Sequence, residues 1–232
     1  MEKQKYAAIV LAAGSGKRMN SQVHKQYLII QDRPVLYYSL KEFQDSAVDE
    51  IVLVVGKGEE EFCRKEIVDK YGISKVKAIV EGGKERYHSV FEGLKQTSDA
   101  DYVLIHDGAR PFVNQDIIRR CMQEVQKYQA CVVGMPVKDT IKIADEEGYA
   151  KQTPDRKNVW MIQTPQTFSY ALIYEAYEEM LKTEDTAITD DAMVLERIKG
   201  KKSKLIEGSY RNIKITTPED LLIANVYLQH PE

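Results

Sequence analysis

Continuous apolar runs that stop at glycine constrain this chain more than any other feature. Tyr6–Leu11 (Tyr-Ala-Ala-Ile-Val-Leu) runs into Ala-Ala-Gly-Ser-Gly, and Ile51–Val55 (Ile-Val-Leu-Val-Val) stops at Gly56. A strand without polar alternation is one covered on both faces, as in a parallel sheet between helices. Val76–Val80, Tyr102–His106 and Cys131–Val137 read as three more strands. Helical stretches separate them: Pro34 to about Gln44, Glu59–Tyr71 stopped by Gly72, Arg86–Gln96 and Gln115–Tyr128. This alternation predicts an α/β three-layer sandwich with a mostly parallel, Rossmann-like sheet and right-handed crossovers. Such sheets bind ligands beyond the carboxyl ends of their strands. That rule selects the loops after Leu11, Val80 and Ile105.

The alternation breaks at Lys138. Asp139–Ala144 and Tyr149–Thr153 flank Asp145-Glu146-Glu147-Gly148, a turn-like tetrad. Residues 138–160 therefore read as a β-hairpin arm projecting from a single domain that spans 1–232. A lone hairpin is marginal in water, so a second subunit is the expected support. Gln163-Thr164-Pro165-Gln166 returns the chain to the body. Tyr170–Leu181 and Asp190–Lys199 read as helices, and Asn212–Thr216 as a short strand. A last helix opens with Thr217 as N-cap, Pro218 at its first position and Glu219 and Asp220 in its first turn.

Composition excludes several classes. Hydrophobic residues make up 43% and charged residues 30%, enough apolar side chains for a core and too many for a disordered chain. The net charge of −3 lacks the basic excess of a general nucleic-acid binder. The longest apolar run, Tyr6–Ala13, has eight residues, against roughly 18 for a membrane span. Met-Glu-Lys-Gln-Lys leads straight into that run, and no signal peptide is expected. Cys63, Cys121 and Cys131 are odd in number and, like the four histidines, lack metal spacing. Buried thiols and a cytoplasmic location follow as expectations.

The first selected loop runs from Leu11 through Ala12, Ala13, Gly14, Ser15, Gly16, Lys17 and Arg18 to Met19, with Lys25 beyond. A dinucleotide fingerprint needs glycine where Met19 stands. A Walker loop needs glycine at 11 and Ser or Thr at 18, where Leu11 and Arg18 stand. What remains is either a cradle of main-chain amides for a polyphosphate, or a tight turn with solvated basic residues. The second loop holds Gly82, Gly83, Arg86 and Ser89; it suits a flat or anionic ligand, or is an ordinary turn. In the third, His106-Asp107-Gly108-Ala109-Arg110-Pro111, Asp107 suits Mg²⁺ or a ribose and Arg110 a phosphate. The alternative is a self-contained Asp107–Arg110 ion pair. His106 reads as a satisfied core histidine, and Asp190-Asp191 as a helix N-terminus. Five cations, Arg18, Lys25, Arg110, Arg156 and Lys214, suggest a substrate pair rich in phosphate.

Taken in order, these motifs resemble a known family. Ala-Ala-Gly-Ser-Gly-Lys-Arg-Met with Lys25-Gln26 is similar to the signature of nucleotidyltransferases that activate sugar and alditol phosphates. Gly-Gly-x-x-Arg, His-Asp-Gly-Ala-Arg-Pro, Pro-Val-x-Asp-Thr, Gln-Thr-Pro-Gln, Thr-Asp-Asp and Asn-Ile-Lys-x-Thr-x-Pro-Glu-Asp-Leu resemble the 2-C-methyl-D-erythritol 4-phosphate cytidylyltransferase family. The likeness runs from about residue 6 to residue 228. It implies an enzyme of the non-mevalonate isoprenoid route that joins CTP to methylerythritol phosphate and releases pyrophosphate. It further implies that Ala12, Ala13, Gly14 and Ser15 hold the base and triphosphate, and that Arg18 and Lys25 stabilise the transition state. Gly83 and Ser89 would contact cytosine, Gly108 the ribose, and Asp107 the ribose and, directly or through water, the Mg²⁺ shell. Arg110, Thr189 and Lys214 would grip the alcohol phosphate from one subunit. Thr140 and Arg156 would reach it from the arm of the other, in a homodimer joined through that arm.

No side-chain nucleophile is required: in-line attack by the substrate phosphate needs orientation and neutralised charge. Ribitol-5-phosphate cytidylyltransferase, which shares the CTP half of such a site, is the nearest rival. A non-catalytic nucleotide-binding module and a nicotinamide oxidoreductase are further ones. Three cations at Arg18, Lys25 and Lys214 speak against the former, and the missing glycines against the latter.

Overall fold

The structure is a computed structural model that describes residues 3–14, 24–183 and 187–230. In chain order its strands are β1 (Tyr6–Ala12), β2 (Ile29–Ile30), β3 (Arg33–Pro34), β4 (Glu50–Val55), β5 (Val76–Glu81), β6 (Tyr102–Asp107), β7 (Ala130–Pro136), β8 (Ile143–Ala144), β9 (Ala150–Gln152), β10 (Trp160–Ser169) and β11 (Lys204–Glu207). The helices are α1 (Val35–Asp45), α2 (Glu60–Cys63), α3 (Arg86–Leu94), α4 (Gln115–Tyr128), α5 (Tyr170–Met180), α6 (Asp191–Lys199) and α7 (Pro218–Gln229).

Seven strands form one sheet in the order β11-β7-β10-β6-β1-β4-β5, and only β10 runs antiparallel to its neighbours. The chain moves outward from β1 to β4 and β5, then returns to β6 on the other side of β1. The loops leaving β1 and β6 therefore diverge, and a crevice opens at the carboxyl ends of these two strands.

Strand periodicity divides the core. Ala8 and Val10 of β1, Leu53 of β4 and Leu104 of β6 pack with Leu36, Leu40 and Phe43 of α1 and Ile117, Cys121 and Val125 of α4. Ala7, Ile9, Val52, Val54, Val103 and Ile105 face the opposite way, against Val90 and Leu94 of α3, Ile173 and Tyr177 of α5 and Val194 of α6. Each buried Val, Leu or Ile among them contributes about 1.5–3 kcal/mol. A smaller cluster of Ile30, Val35, Ile215 and Ala224 seats α7 beside the β2–β3 hairpin. All three cysteines are free and buried.

The helix boundaries follow their capping chemistry. Asn114 accepts from the Ile117 amide at 3.0 Å to open α4, and Asp190 accepts from the Met193 amide at 2.9 Å to open α6. Thr217 and Asp220 form a reciprocal capping box on α7. Pro34 stands one residue before α1, as its N-cap.

Four expectations need correction. Gln163–Gln166 is not a connection but the middle of β10, wedged between β6 and β7. Proline argues against a central strand; here Pro165 falls at the register break between Ile162 and Gln166, where no ladder bond is asked of it. β11 is an edge strand that carries too little apolar character to announce itself. Asn212–Thr216 forms no strand: the Ile215 amide donates instead to the Ala109 carbonyl at 2.8 Å, tying this segment to the loop after β6. The predicted Glu59–Tyr71 helix is α2 continued by a π-helical stretch, Arg64–Asp69. In the 138–160 segment the paired strands shrink to β8 and β9, exposed throughout.

Candidate active site

Two clefts open at the carboxyl edge of the sheet. The first, of about 390 Å³, is lined by the end of β1 (Leu11, Ala12, Ala13, Gly14), by Lys25 and Gln26, by the loop and first turn of α3 (Gly83, Lys84, Glu85, Arg86, Ser89), and by Asp107, Ala109 and Lys214. A second, of about 320 Å³, is lined by Arg110, Ile162, Gln163, Thr164, Gln166, Thr189 and Asp190. Arg86, Asp107 and Lys214 line both, so they form the wall the two clefts share.

Local folding explains how the first cleft is held open. The Gln26 amide donates to the Ala12 carbonyl at 2.5 Å, fixing the short helical turn that carries Lys25 against the end of β1. A Cβ on Gly82 would stand 2.5 Å from the Ala13 Cβ and 2.6 Å from Ser89 Oγ, so only glycine lets the two loops meet this closely. Ser89 Oγ in turn accepts from the Gly83 amide at 3.1 Å.

The shared wall is an ion network. Asp107 Oδ2 lies 2.7 Å from Lys214 Nζ and Oδ1 lies 3.3 Å from Arg86 Nε. Arg86 also grips the fully buried Asp191 with both terminal nitrogens, each at 2.8 Å, and Tyr177 donates to the same carboxylate at 2.6 Å. Burial opposes the charge on Asp107, but Arg86, Lys214 and Arg110 outweigh it and hold the carboxyl well below the usual carboxylate range. Burial likewise opposes the charge on Arg86, yet Asp191 and Asp107 raise it well above its ordinary value. Asp107 and Arg86 are thus both held in their charged forms.

On the second cleft, Gln166 of β10 organises the start of α6. Its oxygen accepts from the Asp191 and Ala192 amides at 3.0 and 2.9 Å, and its nitrogen donates to Asp190 at 3.0 Å. Arg110 donates to the carbonyls of Asn212 at 2.8 Å and Ile162 at 3.4 Å, and its buried Nε meets no protein acceptor among the described residues. His106 is fully buried, and burial pushes its pKa down to about 4, so it is neutral.

The structure brings Ala12, Ala13, Gly14, Lys25, Gly83, Ser89 and Asp107 to the first cleft and Arg110, Thr189, Asp107 and Lys214 to the second. Ser15 and Arg18 lie outside the described residues. Gly108 does not line either cleft; a Cβ there would stand 2.7 Å from Leu36 and 3.0 Å from the Leu11 carbonyl, so its smallness serves packing. Thr140 and Arg156 sit on the exposed arm, away from both clefts of their own chain. Asp107 finds its salt-bridge partners in Arg86 and Lys214, not in Arg110 three residues on. Asp190 does cap a helix, but Asp191 is a buried partner of Arg86. Sequence reasoning did not pair Arg86 with Asp191, and it overlooked Thr164 and Gln166. The one usable signal was the isolated Gln-Thr-Pro-Gln, whose polar residues suit neither a core strand nor a flexible loop.

A mostly parallel α/β sheet with a cleft of strand-end main chain and a lysine, set against a second basic cleft, agrees with the nucleotidyltransferase class that the motifs resemble. The family model "IspD: 2-C-methyl-D-erythritol 4-phosphate cytidylyltransferase" matches residues 6–230. The chain is 50% identical over 226 residues to the enzyme of that name from Lachnoclostridium phytofermentans, covering 97% of each. It is 53% identical over 224 residues to the one from Lachnospira eligens, covering 96% of this chain and 98% of the relative. The crystal structure of 4-diphosphocytidyl-2C-methyl-D-erythritol synthase from Anaerococcus prevotii superposes with a TM-score of 0.86 at 38% identity, over 98% of this chain and 97% of that one. The chain belongs to the 2-C-methyl-D-erythritol 4-phosphate cytidylyltransferase family.

Proposed function

We propose that the first cleft binds CTP and the second binds 2-C-methyl-D-erythritol 4-phosphate, and that the enzyme joins them into 4-diphosphocytidyl-2-C-methyl-D-erythritol. The observation that carries this reading is the shared wall. Two phosphorylated substrates in adjacent clefts would bring their phosphates together beside Lys214 and Arg86. A phosphate oxygen of the alcohol substrate attacks the α-phosphorus of CTP. That bond forms as the bond to the bridging oxygen breaks, and pyrophosphate leaves with the electron pair. Lys25 and Arg18 neutralise the charge that grows on the α-phosphate and the leaving group. Ala12, Ala13, Gly14 and Ser15 offer main-chain amides to base and triphosphate, and Gly83 and Ser89 read the cytosine edge. Arg110, Thr189 and Lys214 hold the alcohol phosphate in line.

The donor set also fits a divalent cation. Mg²⁺ bound to a nucleotide takes most of its ligands from phosphate and water and one or two carboxylates from protein. Asp107 is the carboxylate common to both clefts, and it is ionised. When bound, Mg²⁺ supplies further charge neutralisation on the triphosphate.

The arm completes the reading. Ile143, Tyr149, Met161 and Ile162 in and beside it are 46%, 68%, 47% and 38% exposed, an apolar surface that a second copy would cover. In such a homodimer the partner's arm would bring Thr140 and Arg156 to the second cleft. No helix among the described residues is long and apolar enough to cross a membrane, and the reaction, whose substrates are small and soluble, belongs in the cytoplasm.

Pyrophosphate release with CTP and Mg²⁺ tests the reading, run in parallel with methylerythritol 4-phosphate and ribitol 5-phosphate. Release with the first alone is expected. Release with ribitol 5-phosphate alone would keep the CTP half and move the enzyme to wall-polymer precursors.

A further inference from the structure

The residue of β6 next to Asp107 is an imidazole that lines neither cleft. His106 is fully buried, with its ring edge-on to Phe43 at 5.2 Å between centroids. A leucine or phenylalanine would fill such a position more cheaply, because a buried polar ring must have its nitrogens satisfied. Both of them are, and both bonds lead to the segment that carries the site.

His106 Nδ1 lies 2.9 Å from Thr164 Oγ1, and Nε2 lies 3.2 Å from the Arg110 carbonyl oxygen. The Thr164 carbonyl accepts from the Asn212 side chain at 2.9 Å, and the Asn212 carbonyl accepts from Arg110 Nη1 at 2.8 Å. Four residues thereby close a ring: His106, Thr164, Asn212, Arg110 and back to His106. Thr164 Oγ1 also accepts from the Asp107 amide at 3.1 Å.

Proton positions in this ring follow from the chemistry of its members. The Arg110 carbonyl can only accept, so Nε2 carries the hydrogen. Thr164 Oγ1 already accepts from Asp107, and its own hydrogen needs an acceptor, which is the bare Nδ1. Each group has one role, and the ring tolerates one tautomer only.

We propose that His106 is a positioning residue that fixes Arg110 and Asp107 for the alcohol-phosphate half of the site, through this closed ring with Thr164 and Asn212. It anchors the Arg110 main chain from beneath while Asn212 holds the guanidinium from the side. Lys214 follows two residues after Asn212, so the ring also fixes the start of the segment that presents it. The first cleft receives none of these bonds except through Asp107. The inference rests on the assignment of the second cleft to the alcohol phosphate.

Steady-state kinetics of His106→Gln, Thr164→Val and Thr164→Ser test it, with Arg110→Ala as the control for the cleft assignment. His106→Gln and Thr164→Val should each raise KM for methylerythritol phosphate about tenfold and move KM for CTP less than about twofold. Thr164→Ser keeps the hydroxyl and should stay near wild type. The double variant should be little worse than either single, since both break one ring. Independent losses that multiply in the double variant would overturn the proposal, as would equal rises in both KM values. Should His106→Gln fail to fold, the Thr164 pair carries the kinetic comparison alone. On the wild-type protein, nitrogen-15 NMR of labelled histidine should show His106 with hydrogen on Nε2 and a bare Nδ1; hydrogen on Nδ1 would contradict the ring. If Arg110→Ala leaves KM for the alcohol phosphate unchanged, the cleft assignment itself falls and the inference falls with it. If Arg110→Ala raises it and the ring variants do not, the inference alone is wrong.

Discussion

Lys214 Nζ sits 2.7 Å from Asp107 Oδ2, linking a segment near the C-terminus to the end of a central strand and forming the boundary between two clefts. The ammonium is thus pre-placed, with a carboxylate that holds it until a phosphate arrives. Lys214→Ala should remove a charge-assisted bond to the alcohol phosphate, of about 1.5–3 kcal/mol. That predicts a rise in KM for methylerythritol phosphate of about tenfold to a hundredfold, with KM for CTP changed far less. A selective CTP defect would place Lys214 on the wrong side of the wall.

Lys25 lines the opposite cleft, where the proposed reaction sets it against the leaving group. Lys25→Ala should lower kcat by about a hundredfold or more, in the range of a lost electrostatic contact to a transition state. Wild-type turnover in this variant would remove Lys25 from the mechanism. The same expectation applies to Arg18→Ala.

The arm yields a complementation test. Arg156→Ala and Lys214→Ala homodimers should both be impaired. If Arg156 acts on the partner's cleft, a mixed dimer has one site with both wild-type residues and one with neither. Equal mixtures after subunit exchange should recover about a quarter of wild-type activity, since half of the dimers are mixed and each has one intact site. No recovery, with exchange verified, would mean that Arg156 serves its own chain or none.

His106 makes stability depend on pH. Unfolded, its ring takes a proton near 6.5; folded, burial lowers that value to about 4. Between these values the unfolded chain binds the extra proton, so stability rises with pH across this window. The contribution is complete above 6.5 and is lost as pH falls toward 4, about 3 kcal/mol in all. Urea midpoints at pH 7.5 and 5 should therefore differ less for His106→Gln than for the wild type. Equal differences would show that the buried ring does not titrate in this window.

Gly108 separates packing from binding. Gly108→Ala would press a methyl group against Leu36 and the Leu11 carbonyl. Overpacking of this kind costs about 1–3 kcal/mol. Thermal unfolding should register that loss. An unchanged melting temperature with a weakened CTP affinity would return Gly108 to the ribose contact that the family resemblance implied.

How far the sequence could be read depended on whether a residue's role was local. β1, β4 and β6 were legible because they are apolar on both faces, and the periodic split of Ala7 and Ile9 from Ala8 and Val10 is a direct consequence of burial between two helix layers. The α7 start was legible because Thr217, Pro218 and Asp220 act within one turn. β10 was not, since its proline and glutamines are tolerated only by a register break and by partners far along the chain. Lys25, Arg110 and Lys214 stood out as cations at sheet ends and loops. Their true companions, Arg86 with Asp191 and His106 with Thr164, are separated by 105 and 58 residues, and no spacing rule joins them.

A crystal structure with a non-hydrolysable CTP analogue, Mg²⁺ and methylerythritol 4-phosphate is the most direct test of the two-cleft account. The triphosphate should lie against Ala12–Gly14 and Lys25, and the alcohol phosphate against Arg110 and Lys214, with the partner's arm closing over it. Both ligands in the first cleft, or the alcohol phosphate bound away from Lys214, would contradict it.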